Sequence, residues 1–176
     1  MSVFESELEH CRGARNANLL HCAARNPAKA GKVLARLAKN CSESVLAKLM
    51  QSKDDDGQIP LHALARFGAS RSLLNDFLLI SKKSGKDLIN ARDGFERTPL
   101  HWASVNGNKN TLCALLEFGA DKSLKDGNGE TSLDAAERRA LCASSERIPG
   151  ERPSKWADIA TVLGGSGSTK HLKGKK

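Results

Sequence analysis

The chain has 176 residues and a formal charge of +8, from 28 Lys and Arg against 20 Asp and Glu. An apolar fraction of 39% with 4% aromatics is low for a globular enzyme and suits a thin fold of two helical layers built from Leu and Ala. No run approaches the roughly eighteen apolar residues of a membrane span, the acidic N-terminus has no signal-peptide core, and five scattered cysteines without a C-x-x-C pair argue against a disulfide framework or zinc site.

In chain order, Phe4, Leu8 and Cys11 recur at helical spacing, so residues 1–17 are expected to form a leading helix that caps the first unit. Residues 18–53 come next. Asn18-Leu19-Leu20-His21-Cys22-Ala23-Ala24-Arg25 predicts a short helix, Asn26-Pro27 a break, and Val33, Leu34 and Leu37 a second helix. The return over Ser44–Met50 is long enough for one extra helical turn.

Residues 54–92 open on Asp54-Asp55-Asp56-Gly57, a turn composition; the calcium-loop pattern of alternating ligands and a terminal Glu is missing. Ile59-Pro60-Leu61-His62 starts a helix that Gly68 ends, and Leu73, Leu74, Phe77, Leu78 and Ile80 mark a second. Lys82-Lys83-Ser84-Gly85-Lys86 is a basic insertion after it.

Residues 93–125 carry the clearest pattern. Thr98 suits an N-cap and Pro99 the first helical position, where its missing N–H costs nothing. Leu100 and Ala103 face inward, and Gly107 ends the helix in the left-handed region. Leu112, Leu115 and Leu116 predict a second helix, closed by Gly119. Each such pair of helices is too thin to bury its own apolar face.

Residues 126–163 restart the phrase with Asp126, Gly129, Thr131 and Leu133, 33 residues after Leu100, but Ser132 stands for Pro and Asp134 for His. A polar stretch over 144–155 interrupts the unit, and Trp156–Leu163 supplies a closing helix, read as the C-terminal cap. Residues 164–176 are basic with nothing to bury, and a disordered tail is expected.

Thr98-Pro99-Leu100-His101-Trp102-Ala103-Ser104, then Leu115-Leu116 and Gly119-Ala120-Asp121, resembles a near-consensus ankyrin repeat over 93–125, with degenerate copies on either side. The expectation is an all-α ankyrin-repeat solenoid of about four helix-turn-helix units (18–53, 54–92, 93–125, 126–163) with short turn or hairpin tips. The resemblance implies that His21, His62 and His101 tie neighbouring repeats by hydrogen bonds, and that partners dock on a concave face made by the turn tips and the first helices. Cys22 and Cys113 fall at small helical positions where a buried reduced thiol is usual.

No constellation of catalytic residues is present, so neither an enzyme nor a cofactor nor a metal is expected. Carried onto the repeat positions, the partner-binding candidates are Arg66, Phe67, Phe95, Arg97, Val105, Asn106, Asn128, Arg138 and Arg139. Aromatic and Arg side chains are the common hot-spot types. Trp102 is read as packing, and Glu96, at a consensus Gly position, as a departure that reshapes its turn. Arg138 and Arg139, with Arg147, Arg152 and Lys155, make a basic C-terminal end, read by default as a solvated rim.

The reading is a monomeric, non-enzymatic adaptor or scaffold that binds a protein partner, in the cytoplasm or nucleus, with no membrane insertion. Both apparent caps and the initial Met suggest a complete chain. One alternative is a nucleic-acid- or ribosome-associated role driven by the basic ends; solvated faces account for the charge more simply. Another is a regulatory module acting with a larger enzyme or channel.

Overall fold

The computed structural model describes residues 13–83, 85, 87–145 and 154–164. Residues 1–12 of the leading helix expected over 1–17, Arg147 and Arg152 of the basic end, and the tail from 165 onward lie outside these. A 3-10 turn at Ala14–Asn16 precedes α1 (Leu19–Ala24), α2 (Pro27–Asn40), α3 (Glu43–Gln51), α4 (Pro60–Phe67), α5 (Arg71–Lys83), α6 (Pro99–Val105), α7 (Lys109–Glu117), α8 (Ser132–Ser145) and α9 (Ser154–Leu163). The described residues contain no strand, only an isolated antiparallel bridge from Lys125 to Thr131 at one tip.

Two rows of helices run side by side. The inner row is α1, α4, α6 and α8, each packed on the next, and the outer row is α2, α5, α7 and α9. The inner helices are short because their ends are set chemically. Pro60 and Pro99 occupy first-turn positions, and Gly68 (φ 82°) closes α4 in the left-handed region. A single apolar cluster runs from Leu20 to Leu163 between the rows. Leu61, Leu74, Leu100, Leu112 and Leu115 are fully buried, each side chain contributing about 2 kcal/mol of burial. No single unit encloses these residues, so the stacking of units is what creates the core.

Two expectations need correction. The return over Ser44–Met50 is a nine-residue helix, α3, and more than one extra turn. Val45, Leu46, Leu49 and Met50 are all buried there, against α1, α2, α4 and α5. The thiols also differ from expectation, since Cys22 is exposed and Cys113 half-buried. Cys22 follows the motif histidine directly, and there it lines an open cavity with Arg25 and Asp56.

Candidate partner-binding face

The tips of the concave edge repeat one chemical device. Asp54 Oδ1 accepts from the N–H groups of Asp56 (3.0 Å) and Gln58 (2.8 Å). Asp93 does the same for Phe95 (2.9 Å) and Arg97 (2.8 Å), and Asp126 for Asn128 (2.9 Å) and Glu130 (3.1 Å). An Asp side chain suits this work because it bonds its own backbone two residues on. Burial opposes ionisation of Asp126, but the two N–H groups and the Arg97 side chain hold its carboxyl below the ordinary range.

Successive tips are also laced together by backbone. Asp55 N–H donates to Arg15 C=O (3.1 Å), Gly94 N–H to Asp56 C=O (2.8 Å), and Gly127 N–H to Phe95 C=O (3.0 Å). Gly94 is required by this approach, since a Cβ there would stand 2.7 Å from the Asp56 oxygen. Glu96 does not reshape its turn as expected. Its φ of 59° matches Gly57 (72°) and Gly129 (78°), so the glutamate takes on the glycine conformation. Its carboxylate pairs with Arg92 (2.9 Å), which also donates to the Lys125 carbonyl (2.9 Å).

Behind the tips, the recurring histidines join unit to unit, as the resemblance implies. The Ile59 N–H donates to His62 Nδ1 (3.1 Å), leaving Nε2–H to reach the Ala91 and Arg97 carbonyls (3.0 and 3.1 Å). In His101, Nδ1 takes the Thr98 N–H (3.2 Å) and hydroxyl (2.8 Å), and Nε2 donates to the Glu130 carbonyl (3.1 Å). Both rings are therefore held as the neutral Nε2–H tautomer. Burial lowers the pKa of His62, against the pull of Asp93, and of His101, against its bond to Glu130. His21 lies 2.8 Å from the Gln58 carbonyl, but Asn18 stands where Thr98 does, and its Oδ1 accepts the His21 backbone N–H (3.1 Å).

On this frame the structure brings four of the candidates together around one ring. Trp102 is 9% exposed, and its indole N–H donates to Asp93 Oδ2 (2.8 Å). The Arg66 guanidinium lies 5.0 Å from the Trp102 ring centre and 5.6 Å from that of Phe67. Arg97 lies 5.4 Å from Trp102 and 5.6 Å from Phe95. Phe67 and Phe95 are 41% and 54% exposed. Two cations thus share an electron-rich indole, a geometry worth about 0.5–1 kcal/mol per contact at exposed sites, and an exposed phenyl flanks each. Arg97 is further held by Asp126 (3.5 Å). Trp102 packs, as read, and it is also the platform that orders both arginines.

The other candidates fall elsewhere. Asn106 donates to the Trp102 carbonyl (2.8 Å), beside the cluster. The Val105 carbonyl is taken by the Trp156 indole N–H (3.1 Å), so this residue anchors α9. Asn128 is exposed at the last tip, and Arg138 makes a forked pair with Glu130 (3.0–3.2 Å). Arg139 and Lys155 lie 5.4 and 5.5 Å from the buried Trp156 ring, packing the C-terminal end.

Sequence reasoning missed one part of the face. Toward the N-terminal end lies an open cavity of about 370 Å³, lined among others by Arg15, Cys22, Arg25, Asp56, Arg66 and Phe67. Arg15 pairs with Asp56 across it. The signal was available in the unit alignment, because Cys22, Ala63 and Trp102 share one position. Only the third of these fills the groove.

A row of laced tips over short helices, with ordered Arg and exposed Phe on one face, defines a repeat solenoid built to present a surface. Residues 20–126 match the model of ankyrin repeats, in three copies. The chain belongs to the ankyrin-repeat family, whose repeats are protein–protein interaction modules and are typically non-catalytic. Among similar proteins is a probable palmitoyltransferase, AKR2, of Saccharomyces uvarum, 37% identical over 70 residues (38% of this chain, 10% of that protein). The serine/threonine-protein kinase VIK of Arabidopsis thaliana is 43% identical over 65 residues (36% and 15%). The nuclear factor NF-kappa-B p105 subunit of Rattus norvegicus is 34% identical over 94 residues (53% and 10%). The chain spans only 10–15% of the length of these relatives. No helix among the described residues is long and apolar enough to cross a membrane.

Proposed function

We propose that this chain is an adaptor that holds a protein partner on its concave face, with Arg66, Phe67, Phe95 and Arg97 as the principal contacts. The observation that carries this reading is the Trp102 ring with two guanidinium groups within 5.4 Å of its centre and an exposed Phe beside each of them. Side chains already ordered before binding lose less entropy on complex formation, and large aromatic and Arg groups are those that concentrate binding energy.

The test is affinity capture from cell lysate with and without nuclease. Wild type is compared with a variant carrying Ala at positions 66, 67, 95 and 97, its fold verified by circular dichroism. A discrete protein that survives nuclease and is lost with the variant supports the reading. Capture that depends on nucleic acid and ignores those four residues overturns it.

A second reading has support from the comparisons. Two of the relatives named are, by their descriptions, a probable palmitoyltransferase and a protein kinase, and the match covers 10–15% of each. In that reading the same face docks onto a larger enzyme and regulates it. Identification of the captured protein separates the two.

A further inference from the structure

The charge of this chain is not spread over its repeats. Residues 43–163 contain 17 Lys and Arg and 17 Asp and Glu, and so carry no net charge. Residues 10–42 contain seven Lys and Arg and no acid at all. Four of those seven, Lys29, Lys32, Arg36 and Lys39, lie on α2, the first helix of the outer row.

At about 100° per residue the four fall within an arc of about 80°. The buried residues Ala30, Leu34 and Leu37 occupy the other side of the helix. All four cations are exposed, and none has an ion-pair partner among the described residues. The corresponding outer helices are different. On α5, Arg71 pairs with Glu117 of α7 and Asp76 adds a negative charge, while Lys109 of α7 pairs with Asp158 of α9. Solvation of an outer helix therefore does not need a row of one sign, since mixed signs serve the other units.

We propose that the α2 stripe binds the phosphate backbone of duplex nucleic acid without reading sequence. The row is about 15 Å long, and a duplex offers one negative charge per about 1.7 Å of its axis. The exposed residues that flank the cation arc include Ala28, Ala35 and Ala38. The helix carries no aromatic side chain to stack unpaired bases. No Trp, Phe or Leu is exposed on this helix to enter a bilayer interface, and no large anchor exists for a protein pocket. The stripe belongs to the outer row, so the proposal stands apart from the concave-face reading.

The experiment is fluorescence anisotropy of a labelled 20-base-pair duplex titrated with the full chain at several salt concentrations. Wild type should bind with log K falling against log salt at a slope near −3.6, about −0.9 for each of four neutralised phosphates. Replacing Lys29, Lys32, Arg36 and Lys39 with Gln should cut affinity at least about tenfold and flatten the slope. A control with Arg71, Lys82 and Lys83 changed to Gln, a second truncated after 164, and the concave-face alanine variant should all bind like wild type. If the fourfold variant fails to fold, Lys32→Gln and Arg36→Gln singly should each lower the slope by about 1. The proposal is overturned by an absence of duplex binding, by binding that disappears with the tail, by indifference to the stripe, or by tighter binding to phosphatidylserine vesicles than to the duplex.

Discussion

His62 and Asp134 occupy the same place, the third residue of an inner helix, in the second and fourth units. His62 accepts at one end of its ring, from the Ile59 N–H, and donates at the other, to the Ala91 and Arg97 carbonyls. Asp134 turns back on its own unit, accepting from the Thr131 N–H (2.8 Å) and hydroxyl (2.7 Å). An interior unit needs a side chain that is acceptor on one side and donor on the other, about a ring's width apart, and neutral imidazole meets both demands. A carboxylate can only accept, so it caps its helix well and offers nothing to a following carbonyl. The fourth unit replaces the missing tie with packing: α8 runs to 14 residues, and buried Trp156 pins α9 to the Val105 carbonyl.

Substitution at these two matched sites is the most direct way to break the comparison. His62→Ala strands the Ile59 N–H and two carbonyls and leaves a cavity, which should cost about 3 kcal/mol. Asp134→Ala removes a cap at an exposed end and should cost about 1 kcal/mol. Urea unfolding of both variants reads the difference. Equal losses would mean that the histidine acts only as a helix cap.

Acid sharpens the same point. His62 and His101 have pKa values lowered by burial in the folded chain, while the unfolded chain protonates near the ordinary 6.5. The stability these rings confer is complete above pH 6.5. It is lost as pH falls below that value, because the unfolded state then binds more protons. The slope should approach but not exceed about 1.4 kcal/mol per pH unit for each ring. Urea midpoints at pH 7.5, 6.5 and 5.5 test this, with His101→Gln expected to reduce the slope. A flat profile in that window would mean that the folded protein accepts a charged ring at both places.

The ties were legible in the sequence because they repeat, with His21, His62 and His101 each following an apolar position by a constant offset. The Asp-led tips were legible for the same reason. The stacking of Arg66 and Arg97 on Trp102 was not, although all three residues stood out individually. It depends on the spacing between one unit and the next, which no single repeat encodes. Helix α3 was underestimated because Val45-Leu46-Ala47-Lys48-Leu49-Met50 is too short for its period to be distinguished from a loop insertion. Exposure of Cys22 followed from its place beside an open cavity, and residue type alone pointed the other way. The α2 stripe escaped notice for a different reason. Each cation on it looks like ordinary solvation until the acids of every segment are counted beside it.

Glu96 offers the smallest effect and the finest test, because it compares the three tips with one another. Gly57 and Gly129 hold positive φ freely, whereas Glu96 holds it with a side chain, and its tip is otherwise built like theirs. The left-handed conformation costs an L-residue about 1–2 kcal/mol. Introducing Gly returns about 0.5–1 kcal/mol of that to the entropy of the unfolded chain. The Arg92–Glu96 pair is more than a third exposed on both sides and contributes little after screening. Glu96→Gly should therefore stabilise by about 0.5 kcal/mol, read as a rise in the urea midpoint. Glu96→Gln keeps the strained backbone and removes the charge, and it should change stability by less than Gly does. If Gly lowers the midpoint and Gln lowers it equally, the clasp from Arg92 outweighs the strain. The middle tip would then be held by its carboxylate, with Arg92 linking it through the Lys125 carbonyl to the unit that follows.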